Sequence, residues 1–137
     1  MTFVVDASVT LAWCFEDERD PAADWVFDHL QVEDAVAPTI WPLEVANSLL
    51  AAERRGRISS SRATQLVRFV RQLPISVDSA DARSSMSEIV DLARAQGLSA
   101  YDASYAHLAL RVGLPLATLD ARLRLACEDL GVPLVST

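Results

Sequence analysis

Four acidic residues stand where they could act together. Asp6 follows the apolar run Phe3-Val4-Val5, and Asp120 follows Leu116–Leu119 in the same way. Short apolar runs of this kind read as strands buried on both faces. Glu44 and Asp102 instead fall in the first turns of apolar helices. Each acid alone has a simpler reading. Asp6 suits the cap of the helix after it, Glu44 the positive end of its helix, and Asp102 a capping box with Ser99. Chemistry depends on whether they meet. In a parallel sheet, strand C-termini and the following helix N-termini share one edge, where ligands bind. Four carboxylates gathered there would repel one another and raise their own pKa values. A divalent cation makes such a cluster sensible, and an all-oxygen, water-rich donor set suits Mg²⁺ or Mn²⁺. A cation so held lowers the pKa of bound water and clamps a phosphodiester for in-line attack.

The elements that must position these acids follow from periodicity and punctuation. After Asp6, residues 7–15 form a short helix that ends at Glu16-Asp17-Glu18. Asp20-Pro21 starts a second helix, with Asp20 as N-cap and Pro21 at its first position, running to about Gln31. Residues 35–38 make the second strand. A helix from Pro42 to about Arg55, closed by Gly56, carries Glu44, with Asn47 and Ser48 on the same face at i+3 and i+4. Ser59-Ser60-Ser61 caps another helix, to about Leu73. The two helices form an αα-hairpin holding Arg54, Arg55, Arg57, Arg62, Arg68 and Arg71, half of the arginines. That concentration reads as a solvated surface or as a patch that contacts phosphates or a partner. A strand over 74–77 precedes a helix from about Ala80 to Gln96, with Met86, Ile89, Val90 and Ala93 as its apolar stripe. The helix begun by Ser99 runs to about Val112 and is apolar enough to be buried. Strand 116–119, helix 121–130 and a last strand over 132–135 complete the chain. Alternating strands and helices predict an α/β fold: three layers, α/β/α, around a mostly parallel sheet, plus the αα-hairpin.

Composition narrows the function. The 137 residues are 51% hydrophobic, which rules out disorder and fits one domain spanning 1–137. No apolar run approaches a membrane span, and Asp6 interrupts the N-terminal apolar stretch, so neither membrane insertion nor a signal peptide is expected. Cys14 and Cys127 show no metal-ligand spacing and read as buried thiols of a cytoplasmic protein. His29 and His107 read as structural or exposed. The chain contains 12 arginines and no lysine. That removes the P-loop lysine, Schiff-base catalysis and the lysine of receiver domains. A net charge of −7 argues against indiscriminate nucleic-acid binding through a basic surface. With no Ser-His-Asp set and no glycine-rich phosphate loop, metal-assisted phosphodiester hydrolysis is the chemistry left.

Four motifs, taken in order, carry a resemblance: Val4-Val5-Asp6-Ala7-Ser8, Pro42-Leu43-Glu44-Val45-Ala46-Asn47-Ser48-Leu49, Tyr101-Asp102-Ala103-Ser104-Tyr105 and Thr118-Leu119-Asp120-Ala121-Arg122-Leu123. Over essentially its whole length the chain resembles the PIN-domain ribonucleases, and especially the VapC-type toxins of bacterial toxin–antitoxin pairs. The resemblance implies an acidic metal site in which Asp6, Asp102 and Asp120 are direct ligands and Glu44 acts directly or through water. It implies that Ser8 orients Asp6, that Thr118 does the same near Asp120, and that Asn47 has a supporting role. It further implies cleavage of single-stranded or looped RNA, often tRNA or ribosomal RNA, to a 3′-hydroxyl and a 5′-phosphate. A homodimer and a cognate VapB-type antitoxin lying in a groove beside the site are also implied. Trp13, Phe15 and Trp41 are the groove candidates. The acidic, lysine-free composition departs from a general RNA binder and points to a selective substrate.

Two other classes remain in view. A non-catalytic PIN-fold module for RNA or protein would have no need of the acid cluster. Haloacid-dehalogenase-like phosphatases and receiver domains need a second early acid, where this chain has Ser8, and usually a lysine.

Overall fold

A computed structural model describes residues 2–135. Its centre is a four-stranded, wholly parallel sheet: β1 (Phe3–Val5), β2 (Ala35–Ala37), β3 (Ile75–Val77) and β4 (Leu116–Ala117), in the order β3-β2-β1-β4. Phe3 pairs with Ala35, Val5 with Ala117 and Ala37 with Val77. Every residue of β1 and β2 is buried, as their unbroken apolar sequences require. The connections alternate with helices: α1 (Ala7–Cys14), α2 (Pro21–His29), α3 (Trp41–Arg54), α4 (Ser60–Arg71), α5 (Met86–Gln96), α6 (Ala100–Val112) and α7 (Ala121–Leu130). The expected three-layer α/β/α architecture and the αα-hairpin, α3 with α4, are both found. No helix among the described residues is long and apolar enough to cross a membrane.

Strand order places the site. From β1 the chain builds outward through β2 and β3 on one side and returns to add β4 on the other. The point where the order reverses lies beside β1, and such a switch point opens a crevice at the strand C-termini. Asp6 leaves β1 at that point. Its backbone N–H donates to the Ala117 carbonyl at 3.2 Å, so the ends of β1 and β4 are tied together.

Capping sets where the helices begin. Asp6, Asp20, Ser59, Ser99 and Asp120 are the N-caps of α1, α2, α4, α6 and α7, each accepting a backbone N–H from inside its helix. Gly97 ends α5 at φ 65°, a left-handed conformation that costs glycine little, and so turns the chain into α6 and Asp102.

Two expectations are corrected. The helix expected from Ala80 begins as a 3-10 turn, Ala82–Ser85, and becomes α-helical only at Met86. The Asp81 side chain accepts from Arg83 N–H while Ser84 Oγ donates to the Asp81 carbonyl, local bonds that compete with a regular first turn. Its apolar stripe is also incompletely covered. Met86 is 60% and Val90 44% exposed, while Ile89, Leu92 and Ala93 are half-buried. The last strand, expected over 132–135, is reduced to an isolated parallel bridge between Leu116 and Leu134. Pro133 has no N–H to give a ladder, and the Val132 N–H is already committed to the Cys127 carbonyl at the end of α7.

Candidate active site

Asp6, Glu44, Asp102 and Asp120 line one pocket of about 280 Å³, together with Ala7, Ser8, Leu11, Asn47, Ser48 and Tyr105. All four sequence-predicted acids therefore reach the same edge of the sheet. Asp6 comes from the end of β1 and Asp120 from the turn after β4. Glu44 is on the first turns of α3, which follows β2, and Asp102 is on the first turn of α6.

Asp6 is the anchor, buried to 4% exposure. Its Oδ1 accepts from Ser8 Oγ at 2.7 Å and from Val9 N–H at 3.0 Å. Its Oδ2 accepts from Thr118 Oγ1. The two hydroxyls also bind the neighbouring turn: Ser8 Oγ accepts from Leu119 N–H at 2.9 Å, and Thr118 Oγ1 accepts from Asp120 N–H at 3.0 Å. Ser8 thus orients Asp6 as expected. Thr118 does more than expected, since it links Asp6 to Asp120 directly. Thr10 Oγ1 holds the Asp6 carbonyl and in turn accepts from Trp41 Nε1 at 3.0 Å. Asp120 Oδ1 caps α7 through Leu123 N–H at 2.9 Å.

The second group is hung from α3 and α6. Tyr105 Oη donates to Glu44 Oε1 at 2.6 Å, across 61 residues of sequence. Tyr105 is 1% exposed. Its role is one that sequence reasoning missed. The signal was there: Tyr105 stands at i+3 from Asp102, on the same helix face, and a buried tyrosine hydroxyl needs a partner. Asn47 and Ser48 line the pocket with no side-chain hydrogen bond among those described.

The electrostatics show chiefly the cost of burying the acids, with a smaller contribution from their mutual charge. Burial pushes Asp6 up to about 6, against the lowering effect of its hydrogen bonds from Ser8, Thr118 and Val9, and Asp120 adds to the rise. Glu44 is raised by burial and by Asp102, offset by the Tyr105 hydrogen bond. Asp102 is raised by burial and by Asp120, offset by Ser99 and Arg122. Burial and the Glu44 contact carry the Tyr105 phenol far above the usual tyrosine range, so it stays a donor.

No three described His, Cys, Asp or Glu side chains are drawn together tightly enough to form a ready cation cage. The acids surround a pocket; they do not converge on a point. A cation bound among them would offset the repulsion between their charges. The donor set fits a hard divalent ion: it is entirely carboxylate at its centre, with hydroxyl and amide oxygens at its margin. Asp6 retains acceptor capacity on Oδ2, since a carboxylate oxygen has two lone pairs.

The profile of the PIN domain matches residues 3–128. This chain belongs to the PIN-domain family. Among proteins, this PIN domain is 28% identical over 123 residues to Ribonuclease VapC3 of Pyrobaculum aerophilum, covering 90% of this chain and 92% of that one. Among solved structures it is similar to PAE2754 of Pyrobaculum aerophilum, with a TM-score of 0.69 and 25% identity, covering 92% of this chain and 79% of that chain. The resemblance drawn from the four motifs is thus matched at the level of family and of a VapC-named relative.

The remaining candidates divide. Trp13 and Phe15 line a groove with Phe27, Phe69 and Arg62, and Trp13 Nε1 donates to the Ala23 carbonyl at 2.7 Å. Trp41 does not join them. It is buried and supports the Asp6 turn through Thr10. Cys14 and Cys127 are buried free thiols, with burial pushing both up to about 11. His107 is buried against Glu88 Oε2 at 2.6 Å on the α5–α6 contact, and His29 bonds the Trp25 carbonyl. Neither histidine lines the acidic pocket.

Proposed function

We propose that this PIN domain, with residues 1–137 acting as one unit, is a VapC-type endoribonuclease toxin that hydrolyses RNA phosphodiester bonds with Mg²⁺, or with Mn²⁺ in its place. The observation that carries this reading is the meeting of four carboxylates, from four separate elements, in one pocket at the switch point of a parallel sheet. Asp6, Asp102 and Asp120 would hold the cation, with Glu44 acting directly or through water. The cation, when bound, supplies a hydroxide-like nucleophile at neutral pH and neutralises charge on the phosphate.

The rest is the work of the chain's own residues. Ser8 and Thr118 fix both oxygens of Asp6, so the deepest carboxylate presents one geometry. Tyr105 holds Glu44 in the pocket and cannot take up its proton, because the phenol is itself kept protonated. Asn47 and Ser48, small and polar at the pocket wall, leave room for the substrate backbone and offer it hydrogen bonds. The VapC-named relative supports a cognate VapB-type antitoxin as the partner that silences this toxin; a homodimer in the cytoplasm is the working form that goes with this reading.

Purified chain, free of any antitoxin, is expected to cut total cellular RNA into discrete products with Mg²⁺ or Mn²⁺ and to leave it intact in EDTA. No products would move the assignment to a PIN-fold module that binds RNA or protein without cutting, and products that persist in EDTA would remove the cation from the mechanism. Tyr105→Phe is expected to reduce metal-dependent cleavage by roughly 10–100-fold, the usual cost of losing the group that positions a metal-site residue. The ring still fills its buried place, so the melting temperature should change little. A Tyr105→Phe protein as active as wild type would remove Glu44 positioning from the account.

A further inference from the structure

The positive charge of this chain is sorted. Residues 45–77 carry six arginines and one acid, Glu53, for a net +5, whereas all other residues together carry −12. Several arginines, inside that stretch and outside it, are already committed: Arg57 to Asp17, Arg19 to Asp24, Arg94 to Asp91 and Arg111 to Asp78. Arg57 also lies over the Phe15 ring, 4.6 Å from its centroid, and Arg62 lines the aromatic groove. Arg54, Arg55 and Arg122 are exposed and make no ion pair among the described residues.

Helical spacing says where two of them point. On α3, Glu44, Ser48, Ala51 and Arg55 fall at i, i+4, i+7 and i+11, one continuous stripe, with Asn47 and Arg54 beside it. Glu44, Asn47 and Ser48 line the acidic pocket. The same face of the same helix therefore leads from the carboxylates to two unpaired arginines, over about 16 Å of helix axis. Ala51 leaves the way between them low. From a different element, Arg122 stands in the first turn of α7, two residues past the pocket-lining Asp120.

We propose that a single RNA strand crosses the acidic pocket between Arg122 and the Arg54–Arg55 pair, lying along the Glu44–Arg55 face of α3. This rests on the nuclease reading above and specifies how its substrate is held. The logic is electrostatic. Phosphates approaching a chain of net charge −7 are repelled over most of its surface, so the few unpaired arginines that flank the site set the path. It also accounts for an acidic, lysine-free nuclease: guanidinium forks suit phosphate oxygens and keep their charge at any physiological pH.

The test is the binding of a fluorescein-labelled, mixed-sequence single-stranded RNA in EDTA, followed by anisotropy at several salt concentrations. Wild type is compared with an Arg54→Gln/Arg55→Gln double variant, with Arg122→Gln, and with an Arg68→Gln/Arg71→Gln control that removes the same charge from α4. The first double variant should bind roughly tenfold more weakly and lose about 1.4 from the slope of log affinity against log salt, as for two phosphate contacts on a single strand. Arg122→Gln should lose about half that slope, and the control should stay within twofold of wild type. Equal losses in both double variants, or none in the first, would overturn the path, as would a wild type that binds no RNA. Metal-dependent cleavage by wild type, assayed alongside, keeps the two claims apart. Cleavage with an unaffected Arg54→Gln/Arg55→Gln protein sinks the path alone, whereas no cleavage by wild type sinks the nuclease reading. Melting curves confirm that each variant is folded.

Discussion

Asp102→Asn should lose metal-dependent RNA cleavage by at least ~10²–10³-fold while keeping its fold, because electrostatic stabilisation at a phosphoryl centre is the main thing such a site supplies. The substitution is chosen for its position. Asp102 lies in the first turn of α6, partly exposed, and the cap of that helix is Ser99, whose Oγ accepts from the Asp102 backbone N–H at 3.1 Å. That bond does not depend on the side chain at 102. Asparagine keeps the shape and one oxygen and removes the charge. Asp120→Asn should behave similarly in activity, but its side chain also caps α7, so a stability change would be mixed into the result. The measurement is initial cleavage rate with saturating Mg²⁺, beside a melting curve. A rate within a few-fold of wild type would contradict the role of Asp102.

The second expectation has the opposite sign, a gain. In the metal-free protein, Asp6→Asn should raise stability at pH 7.5. The carboxyl of Asp6 titrates near 6 in the folded state, against an ordinary 3.8, chiefly because it is buried. A raised carboxylate pKa means that the folded state holds its proton more tightly than the unfolded chain does. Stability is therefore fully present below about pH 4 and falls as pH rises through 6, by on the order of 3 kcal/mol. Asparagine removes that penalty. Its Oδ1 can still accept from Ser8 and Val9, but its amide must now meet Thr118 Oγ1, which already accepts from Asp120 N–H. A net gain of roughly 1–2 kcal/mol, or about 4–8 °C in Tm, is the expected result. The gain should shrink as pH is lowered toward 5. Mg²⁺ should raise the Tm of wild type and not of Asp6→Asn, since a ligand stabilises only the state that binds it. An Asp6→Asn protein less stable than wild type at pH 7.5 would mean that hydrogen bonding, not charge burial, dominates there.

This pairing of effects explains why the site was legible in the sequence at all. A carboxylate after Phe3-Val4-Val5, and another after Leu116–Leu119, are local facts, and the strand-then-acid pattern exposed both. Glu44 and Asp102 were legible because helix starts announce themselves through Pro42 and Ser99. What local pattern cannot carry is long-range. That β1 is flanked by β2 and β4 is decided by packing, so Thr118 reaching Asp6 across 112 residues left no trace in either segment. The partner of the Tyr105 hydroxyl, Glu44, lies 61 residues away on α3, so the apolar pattern of α6 does not reveal it. The same limit holds where pattern and structure part. Val132–Val135 has strand composition, but only a bridge at Leu134 is formed. Met86 and Val90 have helical spacing, but no element among the described residues covers them.

If these four carboxylates hold a divalent cation, calorimetric titration of Mn²⁺ into metal-free wild type and Asp102→Asn at pH 7.5 will distinguish the two proteins. Saturable binding to wild type is expected, with affinity weakened at least ~10-fold in Asp102→Asn and both proteins folded. Superimposable isotherms, or no binding by wild type, would contradict it.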